Sequence, residues 1–552
     1  MNAKLYATRF SIIITLLALL LSACAARSTS TVVQVAPVVK EVQVEKAVEA
    51  EKQAQPAAAQ PAAEEFKPLP TQAPLVSVPV AQPTQPLLLE PGAVPTPADT
   101  FFQNYGTNPY QDTYRDHLST FALDVDTASY TVMRSYVMEG SLPPADSVRV
   151  EEYVNYFNQG YPTPADVAFG IYADGAPSPF EEEGMHPYLL RFGVQGYQVS
   201  SWERKPASLT FVIDTSGSMY EGNRLEMVKY ALNVLVNRLT ADDTVSIVAY
   251  GTEARVVLNP TRGDQSDVIL NSLYDLLPGG TTNAAAGLRR GYEMAMQSYR
   301  SNGINRVILC SDGVANVGET DADAILETVH GYVSEGVYLT TVGFGMNNFN
   351  DVLMEQLADK GNGNYFYVDT NDEAERIFTE ELTSTLEVIA LDAKAQVDFN
   401  PDVVAYYRLV GYENRAVADQ DFRNDSVDAG EIGAGHSATA VYAVMLRPQA
   451  EGRIATVQLR WKDPETYAVK EINGNFNTWD LSRSFNDASP YFQLTTLAAQ
   501  YAEVLRGSPW AAATSLSQIY RMAAPLSESI PEDAKVIEFI DLVGRASQMR
   551  LP

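Results

Sequence analysis

The stretch Leu209-Thr-Phe-Val-Ile-Asp-Thr-Ser-Gly-Ser-Met219 sets an acid and two hydroxyls, Asp214, Ser216 and Ser218, at alternate positions directly after an apolar, partly β-branched run. Such a run reads as a strand buried on both faces, and the residues after it are turn formers. The three oxygen-bearing side chains therefore fall on the loop at the strand's carboxyl end, where open α/β sheets place their ligands. Donors that are all oxygen suit a hard divalent cation, Mg²⁺ first and Mn²⁺ or Ca²⁺ next. Taken alone, D-x-S-x-S fits an ordinary Asp/Ser turn equally well.

Two later segments separate these readings. In Gly279-Gly-Thr-Thr-Asn-Ala-Ala-Ala-Gly-Leu288 a glycine turn delivers a threonine hydroxyl just before a helix, and in Arg306-Val-Ile-Leu-Cys-Ser-Asp-Gly313 a second buried strand ends in an acid followed by glycine. Three strand-end loops then supply two carboxylates and three hydroxyls. With these residues the chain resembles the von Willebrand factor type A domain, whose metal-ion-dependent adhesion site reads D-x-S-x-S, then T, then D. The motif falls on Asp214, Ser216, Ser218, Thr282 and Asp312. Thr281 stands beside Thr282, but the family's spacing to a following G-[IL] pair, met by Gly287-Leu288, selects Thr282. The resemblance implies that Ser216, Ser218 and Thr282 touch the ion and that Asp214 and Asp312 act directly or through water. It also implies a protein or other macromolecular ligand that completes the metal shell with its own carboxylate.

The elements that must position these residues are legible on either side. From 206 to 388 strands and helices alternate: helix spacing at Leu225, Val228, Leu232, Leu235 and Leu239 follows the first loop, then strands at 244–250 and 255–258, helices at 265–277 and from the threonine loop to about 299, strand 306–310, helix 321–335, strand 337–342, helix 350–360, strand 364–367 and helix 371–386. Alternation of this kind demands a mainly parallel sheet with helices on both faces, a Rossmann-like α/β fold. Before it, 101–165 reads as a helical module, with a short strand at Phe121 turning into a helix capped at Asp126 or Thr127, and a second helix over 148–158. Residues 166–205 read as β, 389–480 as a β-sandwich with strands at 393–399, 403–412, 439–447, 453–461 and 467–472, and 481–552 as helices, the first capped by Ser489-Pro490 and stopped at Gly507. The two β runs flanking the α/β domain raise the arrangement in which it is inserted into one sandwich built from both, as in integrin β subunits and inter-alpha-trypsin inhibitor heavy chains. Separate sheets that never pair would exclude it. Phrases on both sides of the domain resemble the N-terminal and C-terminal modules of bacterial lipoproteins that carry it, among them Leu142-Pro-Pro-Ala-Asp-Ser-Val-Arg-Val-Glu-Glu152 and Arg408-Leu-Val-Gly-Tyr-Glu-Asn-Arg415 through His436.

Residues 1–23 read as a secretory signal: Lys4 and Arg9 precede an apolar segment too short to span a bilayer. Leu21-Ser22-Ala23-Cys24 resembles the bacterial lipobox, which implies acylation of Cys24 and a membrane anchor made of lipid, with palmitate among the acyl groups. Residues 24–100 then hold 12 of the chain's 31 prolines, one glycine and one aromatic, Phe66, too little apolar surface to fold. As a coil this tether spans about 50 Å. The expected location is the outer side of a cell membrane or envelope, with the folded part held away from it.

Other functions are disfavoured by composition and pattern. With 39 basic against 69 acidic residues the chain lacks the excess of positive charge that phosphate binding needs, so no nucleic acid partner is expected. No G-x-G-x-x-G follows a first strand and no G-x-x-x-x-G-K-[ST] occurs, so no nucleotide is expected. The histidines His117, His186, His330 and His436 lie in no H-E-x-x-H and near no G-x-S-x-G elbow, no general base adjoins the oxygen cluster, and no catalytic residue is assigned. Asp124-x-Asp126-Thr127 is an incomplete copy of the metal motif and reads as structural, as does the polar turn expected at 428–436. Cys310, inside a buried strand, reads as a small core residue. The function expected is metal-dependent binding or adhesion, and the alternative is an envelope structural or assembly factor whose metal only stabilises the domain.

Overall fold

The computed structural model describes residues 33–35, 102–165, 167–200, 203–313, 322–345, 350–381, 386–427 and 429–549. The signal segment 1–23, Cys24 and all but three residues of the tether lie outside the described residues. Val33–Val35, within the stretch expected to be disordered, forms a short strand antiparallel to Ile171–Ala173.

The α/β domain has a six-stranded sheet in the order Tyr365–Val368, Tyr338–Phe344, Ile304–Ser311, Ala207–Asp214, Thr244–Tyr250, Ala254–Arg262. All neighbours are parallel except the last pair. The central strand Ala207–Asp214 is buried along its whole length. Its alternate residues serve two cores. Phe211 and Ile213 pack with Val228, Leu232 and Ile269 on one face, and Val212 packs with Leu288, Tyr292 and Met354 on the other. Helices Arg224–Val236, Ser266–Tyr274 and Asn371–Arg376 thus cover one side, and Ala284–Gln297, Ala322–Val333 and Asp351–Lys360 the other. Removing the Phe211 ring would cost about 3–5 kcal/mol, because a filled two-sided layer cannot collapse around the hole.

The flanking β runs pair with each other. Tyr188–Gln195 runs antiparallel to Ser437–Val444, so strands before and after the α/β domain share one sheet. A second sheet is built on Val388–Phe399, Arg453–Lys462, Val469–Asn477 and Gly430–Gly433. Apolar side chains of the two sheets form a common core, with Phe169 against Trp461 and Phe192 against Phe476. The α/β domain is an insertion in a β-sandwich. Gly430–Gly433 replaces part of the polar turn expected there. In the module at 102–165 the strand expected at Phe121 is Leu118–Ala122, and Gln111–Asp112 is a further one; they join the two sandwich sheets, and the helices are Ala128–Met138 and Val150–Asn155.

At the C-terminus, Ser489 caps helix Pro490–Leu505 by accepting from the Phe492 amide at 3.1 Å, and Gly507 ends it at φ 69°. With Ala534–Ala546 this helix packs on the N-terminal helices in a third core. Among the described residues no helix is long and apolar enough to cross a membrane.

Candidate metal centre

The strand Ala207–Asp214 ends on Asp214, and the chain then turns sharply into a short helix over Gly217–Asn223. The turn is shaped by the acid itself: Asp214 Oδ1 accepts from the Ser216 amide at 2.8 Å. Backbone bonds knit the three loops together. The Thr215 amide donates to the Tyr250 carbonyl at 2.7 Å, the Gly279 amide to the Thr215 carbonyl at 2.8 Å and the Gly217 amide to the Gly280 carbonyl at 3.1 Å. Thr282 is buried on this same glycine loop, and Asn283 caps the helix after it by accepting from the Ala286 amide. From the other neighbouring strand, Cys310 lies beside Ile213 in the parallel register, and Ser311 donates to Asp214 Oδ2 at 3.0 Å. Asp312 is the next residue.

All five expected residues therefore sit on loops at one sheet edge, and Asp214, Ser216, Thr282 and Asp312 are buried while Ser218 is partly exposed. The rim stays open to solvent on one side, where Gly217, Tyr220 and Thr281 are exposed. Ser216 Oγ and Ser218 Oγ lie 3.0 Å apart. An octahedral Mg²⁺ with bonds of about 2.1 Å spaces adjacent donors about 3.0 Å apart.

The electrostatics favour a cation. Burial, followed by the charge of Asp312, pushes the Asp214 carboxyl up to about 7. Burial likewise raises Asp312. Arg224, buried at the start of the next helix, donates to Asp312 Oδ2 at 3.0 Å and to the Ser218 carbonyl at 3.2 Å. Asp312 Oδ1, by contrast, is buried and has no hydrogen-bond partner among the described residues. A buried carboxylate oxygen without a donor costs a few kcal/mol unless a cation faces it. The donor set and this orphaned oxygen fit a hard dication. Among the described residues no three acidic, histidine or cysteine side chains converge on a metal-type cluster, so an ion here would rely on hydroxyls for most of its protein ligands and stay electrophilic.

Three supporting residues have no mark in the motif. Arg224 orients Asp312, Tyr250 donates to Asp214 Oδ2 at 3.2 Å, and Ser311 donates to the same oxygen. Gly287 explains the glycine of the G-[IL] pair: a Cβ there would lie 2.7 Å from the Tyr250 ring, so only glycine lets the threonine-loop helix press onto the tyrosine. The partial motif at Asp124 and Asp126 has the structural role expected. Asp126 Oδ1 accepts from the Tyr365 amide at 2.9 Å, and Arg415 pairs with both acids at 3.4 Å. Cys310 is a free thiol in the core.

Comparison with known proteins bears on the family of the α/β domain. The model for the von Willebrand factor type A domain matches residues 208–380, one described as von Willebrand factor matches 96–186, and one for the C-terminal part of the uncharacterized protein YfbK matches 384–453 and 446–549. The uncharacterized protein YfbK of Escherichia coli (strain K12) is 34% identical over 480 residues, which cover 82% of each chain. The chain belongs to the von Willebrand factor type A domain family. The chain is also similar to part of the human inter-alpha-trypsin inhibitor heavy chain H3, 31% identical over 169 residues, which are 29% of this chain and 18% of that one. Among solved structures, a von Willebrand factor type A protein from Catenulispora acidiphila aligns with a TM-score of 0.40 at 16% identity, over 67% of this chain and 89% of that chain. The type A domain is thus followed by a segment that matches the C-terminal part of YfbK.

Proposed function

We propose that this type A domain protein is an adhesion or binding protein that captures a macromolecular partner through a divalent cation, Mg²⁺ in the first instance, and that it does so from the outer side of a membrane to which Cys24 anchors it by lipid. The observation that carries the metal reading is the buried Asp312 Oδ1, which lacks any donor among the described residues while Oδ2 of the same group is held by Arg224. Asp214, Ser216, Ser218, Thr282 and Asp312 would hold the ion. A bound dication supplies a Lewis-acidic point at the rim. The residues of this chain fix the two acids, keep water from one side and leave the Gly217 side open to an incoming carboxylate.

Isothermal titration of the full chain with Mg²⁺, with Asp214→Ala alongside, tests the site. The wild type is expected to bind one ion, and the variant to lose at least tenfold in affinity, about 1.4 kcal/mol. An unchanged titration curve in the variant refutes the assignment. Mg²⁺-dependent capture of partners from native envelopes, eluted with chelator, separates binding from the alternative in which the ion only stabilises the domain. In that alternative Mg²⁺ raises the unfolding temperature and captures nothing.

A further inference from the structure

The large apolar side chains of the described residues are mostly buried, and the exposed ones include Tyr114, Tyr467 and Trp479 on the N-terminal module and the sandwich as well as a set on the loops of the metal centre. The three most exposed are Tyr220 at 78%, Leu277 at 75% and Tyr274 at 72%. All three lie on the segments that build the metal centre. Tyr220 follows Ser218 by two residues, and Leu277 precedes Gly279 by two residues. The loops carrying them are bonded to each other through Gly217 to Gly280 and Gly279 to Thr215. Tyr274 ends the helix that leads into the glycine loop. Single exposed apolar residues need no explanation, but residues on loops bonded to one another beside a functional rim point to an interaction surface.

Charge decides what kind of partner this surface fits. The centre accepts a carboxylate through its cation, yet Glu221 and Glu253 are exposed on the surrounding loops and the whole chain carries a net charge of −30. A run of acids would meet this field at every residue except the one on the metal. A single carboxylate set among apolar side chains avoids the repulsion and covers Tyr220 and Leu277 at the same time.

We propose that the metal centre recognises one acidic side chain flanked by aliphatic or aromatic residues on a protein partner, with Tyr220 and Leu277 forming the apolar lips that set this specificity. The inference rests on the metal reading above and adds the chemistry of the ligand to it. Aromatic residues that are exposed in the free protein and covered in the complex are frequent affinity anchors.

The test uses immobilised full-length chain and synthetic heptapeptides with a central Asp, flanked by Leu or Phe, by Gly, or by further Asp, with the central Asp replaced by Asn as control. In Mg²⁺ the Leu- and Phe-flanked peptides are expected to bind roughly tenfold tighter than the Gly- and Asp-flanked ones, and the Asn controls not to bind. Tyr220→Ser with Leu277→Ser, both at the surface, should abolish that preference and leave calorimetric Mg²⁺ affinity unchanged. Tighter binding of the Asp run, or an apolar preference that survives in the double variant, overturns the proposal while Mg²⁺ binding stands. Absence of Mg²⁺ binding in the wild type removes the metal reading, and this proposal with it.

Discussion

Arg224 holds Asp312 by one oxygen and leaves the other buried and unbonded: Nη1 donates to Oδ2 at 3.0 Å, and Oδ1 has no donor among the described residues. The same nitrogen reaches the Ser218 carbonyl at 3.2 Å, so one planar group orients ligands from two loops. Gly345 makes room for it, because a Cβ there would lie 1.9 Å from the Arg224 Nε. A lysine keeps the charge but not the fork. Arg224→Lys is therefore expected to weaken Mg²⁺ binding about tenfold, roughly 1.4 kcal/mol. Calorimetric titration reads this directly, and equal affinity in the two proteins would show that Arg224 does not position Asp312.

Asp214 and Asp312 repel each other while buried, and burial with this repulsion pushes Asp214 up to about 7. Asp214→Asn removes the repulsion and keeps an acceptor for the Ser216 amide. In chelator the variant should be as stable as the wild type or more so, by up to about 1 kcal/mol. In Mg²⁺ the order should reverse, because a ligand present at 100 times its Kd adds about 2.7 kcal/mol to the protein that binds it. Thermal unfolding in the two buffers tests the crossover; a variant that is less stable in both contradicts it.

The parts of this arrangement that were legible in the sequence are the local ones. Phe211-Val-Ile213 reads as a two-sided strand because β-branched and aromatic residues leave few alternatives, and Asp214, Ser216 and Ser218 carry their chemistry in their spacing. The insertion was legible because strand-like alternation occurs on both sides of a strand-helix pattern. Less legible were elements whose partners are remote. Gln111–Asp112 becomes a strand only by pairing with Tyr406–Tyr407, nearly three hundred residues on. Gly430–Gly433 has a turn-like composition and becomes a strand because Val388–Ala393 offers it an edge. Tyr250 and Arg224 serve the centre through the register of the sheet and the start of a helix, and neither leaves a spacing to read.

A second buried acid gives the protein a pH dependence independent of metal. Glu151 Oε2 accepts from the Tyr412 amide at 2.9 Å, joining the N-terminal module to the sandwich, and Oε1 has no partner among the described residues. Burial first, then Glu413 and Asp124, push its carboxyl from the usual 4.5 up to about 7. The folded state thus favours the protonated form. Its contribution is complete below about 4.5 and is lost as pH rises through about 7, a change of roughly 3 kcal/mol at most. Glu151→Gln, which cannot ionise, should lessen the fall in stability between pH 5 and 7 measured by urea unfolding in chelator. An identical pH profile in the variant would exclude Glu151 as its source.

Arg134 ties three distant parts of the chain at the edge of the metal-site sheet. From helix Ala128–Met138 its guanidinium reaches Asp369 at 2.5 and 2.8 Å and Glu373 at 2.9 Å, just after the edge strand Tyr365–Val368, and Glu538 at 3.1 Å on the last helix. Tyr156 accepts from it at 2.7 Å. Asp369, Glu373 and Arg134 are almost completely shielded from solvent. Removing the cation leaves the buried Asp369 uncompensated while Glu373 keeps its pair with Arg376, which costs about 3–5 kcal/mol, whereas removing both charges of the Arg134–Asp369 pair costs far less. Arg134→Met should therefore lower the urea midpoint strongly, and adding Asp369→Asn to it should recover much of the loss. Recovery is the informative result, because a side chain that mattered only for its packing would leave the double variant as weak as the single one.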